Sequence, residues 1–222
     1  MNLEKLLALL ETYRGRDRFL RLLCYASKCG AGLTSPKISP QLDSLSKQLS
    51  SCRTALRLLD DIPTLVYVLQ YGLGNKNEDK YVRFLTVISN IVDLIFCPVD
   101  HISWAIDHRI ILSKSTKWDT LSTAMWVASL YLNIMISSKK MNLIFDQKEK
   151  LSKTKDGNRE EMKKLSETQS KLFLNTLKSM LDIVYAVHYL PPGILWSGTL
   201  QKWQVGALGT LSSLIGLYQS LK

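Results

Sequence analysis

Four arginines crowd a short stretch near the start of the chain: Arg14, Arg16, Arg18 and Arg21, with Lys28 beyond them. Arg14, Arg18, Arg21 and Lys28 are separated by four, three and seven residues, so on a helix they share one face. A guanidinium is a planar fork that fits phosphate, and each basic residue close to an anionic bilayer adds about 1 kcal/mol of attraction. The chemistry on offer is phosphate contact at a membrane interface; a solvated basic face on an ordinary bundle helix fits the same residues. A second group, Asp100, His101, Asp107 and His108, has metal-ligand residue types. Its two pairs stand two turns apart, whereas ligands must converge at about 2.0–2.2 Å from one ion. With no phosphate loop, dinucleotide fingerprint, nucleophile elbow or zinc-protease motif, the sequence offers no catalytic residue, cofactor or metal site.

Near the other end, Gly206, Gly209, Ser213 and Gly216 follow at spacings of three, four and three and share a helix face. Small residues there allow close backbone approach, the main means by which helices associate in lipid. The expected partner of this face is either the uncharged stretch at 118–138 or the same face of a second copy.

Two stretches are long enough to cross a bilayer. Trp118–Ser138 has nineteen uncharged residues after Asp119, and Trp203–Leu221 has nineteen between Lys202 and Lys222. About twenty helical residues reach across a hydrocarbon layer of about 30 Å. Asn133 dilutes the first stretch and calls for a partner helix; a buried helix of a soluble all-α bundle is the competing reading. The rest of the 222-residue chain is polar enough to bring mean hydropathy to 0.00. Its net charge of +10 points to anionic lipid or nucleic acid. No zinc finger, RNP-type strand or long basic tail accompanies that charge, so nucleic acid is not expected as a partner. Cys24, Cys29, Cys52 and Cys97 form no paired framework and read as reduced.

Along the chain, residues 2–29 read as a helix that changes phase or breaks near Gly15. Residues 30–40 read as a loop, and 41–73 as a helix interrupted at Pro63 and ended by Gly72 and Gly74. Asn77 is the expected N-cap of a helix running to about Pro98. Asn90 and Asp93 favour a buried bundle position for that helix over a lipid-facing span. The 139–171 stretch holds ten Lys/Arg and six Asp/Glu and reads as a charged connector, flexible or helical, with no packed core expected between Gln147 and Gln169. Helix resumes at 172–190 and stops at Leu190-Pro191-Pro192-Gly193.

Taken together, the sequence resembles the peroxin-11 family of peroxisomal membrane proteins, and its gamma subtype in particular. The resemblance rests on Tyr13-Arg14-Gly15-Arg16-Asp17-Arg18, on LSSCRTALRLLDD at 49–61 and on QYGLG at 70–74. It continues in HISWAIDHRI at 101–110, WDTLSTAMWVASL at 118–130, AVHYLPPGILWSG at 186–198 and GTLSSLIGLYQ at 209–219. It implies a non-enzymatic protein that proliferates peroxisomes by inserting amphipathic helices, self-assembling with its own kind and other family members, and elongating the membrane. It implies recruitment of a tail-anchored fission adaptor and a dynamin-related GTPase. Carried over, only the arginine motif transfers, making Arg14, Arg16, Arg18 and, by helical phase, Arg21 the lipid-contacting residues; Gly206, Gly209, Ser213 and Gly216 stand as helix-packing residues on their spacing alone. The resulting expectation is an all-α chain: an amphipathic region at 1–117, cytosolic or interfacial; a span at 118–138; a charged connector and amphipathic helix at 139–202; and a span at 203–221. Both termini are then cytosolic and the connector faces the peroxisomal interior, against its net positive charge. A soluble basic all-α adaptor for acidic partners is the alternative.

Overall fold

The computed structural model describes residues 3–74, 76, 78–114, 116–153 and 159–221. They form helices and connections with no strand among them. In order these are α1 (Leu3–Glu11), α2 (Tyr13–Leu33), α3 (Ser39–Arg57), α4 (Asp61–Tyr71), α5 (Lys80–Asp107), α6 (Thr116–Lys153), α7 (Arg159–His188) and α8 (Lys202–Leu221).

The expected break near Gly15 falls at Thr12. Its hydroxyl donates to Leu9 O at 2.7 Å, and its oxygen accepts from Gly15 N at 3.0 Å, ending one helix and capping the next. Gly15 is required by space: a Cβ there would lie 1.8 Å from Leu9 O. The loop is shorter than expected, because α2 runs on to Leu33 and Thr34 closes it on Gly30 O. Pro40 lies in the first turn of α3 and Pro63 in the first turn of α4, where proline costs no hydrogen bond. Asn77 lies outside the described residues. The cap of α5 is Asp79, whose Oδ1 accepts from Tyr81 N and Val82 N at 3.0 and 3.1 Å. α5 then continues through Pro98 as one helix of 28 residues.

The largest departure lies in the connector. α6 does not end at Ser138 but runs for 38 residues, about 57 Å. Residues 159–171 are the N-terminal part of the 30-residue α7, which packs antiparallel to α6. Lys148 Nζ donates to Gln169 Oε1 at 2.8 Å, and Asn175 bridges to Asn133 and Ser137 at 3.2 and 3.4 Å. Paired helices can satisfy a backbone with few apolar residues, which composition alone left as a connector.

Neighbours pack as α3–α2–α8–α7–α6–α5, and α3 returns to α5 through Arg57–Asp100. Tyr185, fully buried, sits at the centre with Tyr25 and Trp126 against its ring at 5.2 and 5.6 Å. Much of the remaining interior is polar: Asn90, Ser103, Ser122, Ser137, Thr176, Ser179, Asp182 and Ser212 are buried. Large apolar side chains lie outside, among them Phe84, Ile91 and Ile95 of α5, Leu121 of α6 and Leu211 and Leu214 of α8.

Candidate membrane and helix-packing site

The arginine stretch is first a corner in the fold. Tyr13 Oη donates to Leu56 O at 2.6 Å, and Arg53 Nε donates to Asp17 Oδ1 at 2.9 Å, so both ends of the Tyr13–Arg18 motif fasten α2 to α3. Burial and the neighbouring Asp60 and Asp17 carboxylates push the Tyr13 hydroxyl up from its ordinary pKa. Arg16 Nε donates to Leu10 O at 2.7 Å and pins α1 back on α2. Arg14, Arg16 and Arg18 are exposed; Arg14 and Arg18 border a cleft with Asp60, Pro63 and Thr64.

Arg21 does not share that surface. Its Nη2 donates to Asp182 Oδ1 at 2.6 Å, to Tyr185 Oη at 3.0 Å and to Ser212 Oγ at 3.1 Å. The Asp182 side chain is only 5% exposed. Helical phase grouped Arg21 with Arg14 and Arg18, but by Arg21 the face has turned beneath α7 and α8. Nothing on α2 itself reports the distant aspartate; Asp182 inside an apolar helix was the available signal.

The small-residue face splits in the same way. A Cβ on Gly206 would stand 2.2 Å from Cys29 N, and one on Gly209 2.2 Å from the Tyr25 ring. A Cβ on Gly32 would stand 2.6 Å from Trp203 N. Pairing 32 with 203, 29 with 206, 25 with 209 and 21 with 212 traces an antiparallel seam between α2 and α8. The partner of Gly206 and Gly209 is therefore α2, neither the 118–138 stretch nor a second copy. Ser213 is buried and donates to Gly209 O within its own helix at 2.6 Å. Gly216 lies off the seam, its nearest approach being Lys178 Cδ at 3.9 Å. Ser212, in the register between them, takes the Arg21 contact instead.

Polar residues of the apolar helices face one another. Ser122 and Ser129 of α6 donate to Asp100 and Asp93 of α5 at 3.1 and 2.8 Å, and Asn133 finds Asn175. Among the described residues, α5 and α6 are the two helices long and apolar enough to cross a membrane. α5 thus turns Asn90 and Asp93 to an inner face, where Asp93 accepts from Ser129, and keeps an apolar outer one, so their presence does not require a wholly buried helix. The 203–221 stretch, within α8, is not among those two helices. Of the residues with metal-ligand types, Asp100 pairs with Arg57 at 3.1 Å, His101 Nδ1 lies 3.2 Å from Asp61, and His108 Nδ1 lies 2.9 Å from Trp104 O. They are drawn toward different partners.

Both ends of the chain lie at one end of the bundle. Arg18 donates to Ser220, and Gln219 Nε2 donates to Lys171 O at 3.2 Å. Beyond that level α6 and α7 project as a charged pair. At the opposite end, Lys202 Nζ and Lys47 Nζ each lie 2.9 Å from the Asp43 carboxylate and hold its pKa down at about 2.

No solved structure matches the chain. All of the chain aligns with 95% of Peroxisomal membrane protein 11C of Homo sapiens at 36% identity. Against Peroxisomal membrane protein 11C of Mus musculus the identity is 34%, over 99% of this chain and 95% of that protein. Residues 3–221 match the family model of Peroxisomal biogenesis factor 11. A match along nearly the whole chain, with relatives of the gamma subtype that share a third of its residues, establishes that this is a peroxisomal membrane protein of the peroxisomal biogenesis factor 11 family.

Proposed function

We propose that this chain is a non-enzymatic protein that elongates the peroxisomal membrane before fission. α5 and α6 cross the bilayer, with α7 and α8 beside them at the same depth. Arg14, Arg16 and Arg18 meet anionic head groups at one face. The protein self-assembles, alone and with other family members, and the elongated membrane is the platform to which a tail-anchored adaptor and a dynamin-related GTPase are recruited. The observation that supports this reading is the polarity of the bundle: serines, asparagine and aspartate inside, phenylalanine, isoleucine and leucine outside. A soluble adaptor would need the reverse.

This reading moves the charged connector. α6 leads to the end of the bundle that holds both termini, so the 139–171 segment shares their side, the cytosol, and its positive charge no longer opposes the topology. Protease protection on intact peroxisomes tests this, with tags at the N-terminus, between 153 and 159, and within 191–199. The first two tags are expected to be cleaved together and the third protected. A protected tag between 153 and 159 beside a cleaved N-terminus overturns the proposed topology.

A further inference from the structure

Five helices leave a cavity of about 410 Å³ beside Tyr185. Its wall contains three guanidiniums, Arg21 from α2 and Arg53 and Arg57 from α3, with Asp100, Thr123 and Trp126 among the groups facing them. Each guanidinium is anchored through part of its fork: Arg21 by Asp182, Arg53 through Nε by Asp17, and Arg57 through Nη2 by Asp100. A guanidinium has five N–H donors, so such anchoring leaves donors over. One of them is identifiable: Arg57 Nε is buried and meets no acceptor, an arrangement that costs free energy until an acceptor arrives. Asp17 pairs Arg53 from outside the wall, so the three guanidiniums are matched by three carboxylates, and what the cavity offers an anion is unfilled N–H donors rather than net charge. Ion pairs serving packing alone would be closed over by side chains, since interiors tolerate few voids. Here they surround a volume large enough for a small organic molecule.

The Arg57–Asp100 pair also lines two adjoining surface clefts of about 360 and 340 Å³. It therefore borders all three spaces. The cavity exceeds what a bare inorganic anion fills, and the Trp126, Tyr25 and Phe96 rings can cover an organic part.

We propose that this cavity binds a phosphate monoester: the phosphate takes the spare donors of Arg57 and its neighbours, and the organic group lies against Trp126. Fork-shaped donors favour phosphate in this role. The same chemistry could come from a soluble metabolite or from a lipid head group, and the experiment separates the two.

The full-length protein is placed in phosphatidylcholine nanodiscs and titrated with glycerol 3-phosphate at constant ionic strength, following tryptophan fluorescence and thermal unfolding. A parallel set of discs contains phosphatidic acid. The expected result is a saturable change. Arg57→Gln should weaken it by about tenfold or more, as loss of a charged hydrogen bond does, and Arg57→Lys should restore part of it. Thr123→Leu, which fills the cavity without touching an ion pair, should abolish it while circular dichroism stays at the wild-type level. A response to the free ester identifies a soluble ligand. A response confined to phosphatidic acid discs, with the same sensitivity to the variants, identifies a head group. The proposal is overturned if wild type gives no saturable response to either, or if the response is equal in wild type, Arg57→Gln and Thr123→Leu.

Discussion

Arg18 and Arg21 are separated by one helical turn and have different surroundings: Arg18 is exposed, and Arg21 is held by Asp182. Arg14, Arg16 and Arg18 are exposed, so replacing all three by Glu is expected to abolish binding to anionic vesicles and to release α1 and the Arg18–Ser220 tie, while the α2–α8 seam stays packed. Co-flotation with such vesicles at low and high salt is the measurement, since screening weakens exposed charge attraction. Equal flotation of wild type and triple variant would contradict the lipid-contact role. Arg21→Ala should act differently, stranding Asp182 inside the bundle at a cost of about 3–5 kcal/mol. Thermal unfolding reads this, and replacing Arg21 and Asp182 together by Met and Leu should recover most of the loss.

At the scale of elements, the α2–α8 seam predicts an asymmetry among glycines of similar spacing. Gly209→Leu must displace Tyr25, and overpacking of this kind typically costs about 1–3 kcal/mol. Gly216→Leu meets only the flexible end of Lys178 and should be tolerated. Comparing the unfolding temperatures of the two single variants tests the seam; equal shifts would refute it. The far ends of α3 and α8 are tied by Asp43. Because its folded pKa lies near 2, below the unfolded value of about 3.9, its contribution is complete above about pH 4. It is lost as pH falls toward 2. Asp43→Asn should therefore lower stability at pH 7 and flatten the acid limb of the unfolding curve.

For the whole molecule, the exposed apolar belt predicts how insertion fails. A charge near the middle of a span costs about 2.5–3.5 kcal/mol on insertion scales. Ile91 on α5 is 50% exposed, and Ala128 on α6 is exposed too. Ile91→Arg with Ala128→Arg is expected to shift the protein out of the carbonate-resistant pellet. Full retention of the double variant in that pellet would count against α5 and α6 as spans.

The sequence by itself determined the helical class, the break before Gly15, the stop at Leu190–Gly193 and the peroxin-11 resemblance. Those features follow from local rules: periodicity, capping hydroxyls, proline and glycine, and ordered motif blocks. It also required a partner for Asn133, which Asn175 supplies. Tertiary structure decided which groups meet. Asp182 claims Arg21 from a position 161 residues away, and Gly206 and Gly209 pack on α2. Local periodicity reports that a face exists and says nothing of what lies across it. The 139–171 stretch shows the same limit: its composition left a flexible or a helical connector open, and the pairing of α6 with α7 makes its described residues, 139–153 and 159–171, helical. Helix length there depends on contacts between residues far apart in sequence, which no window of the chain contains.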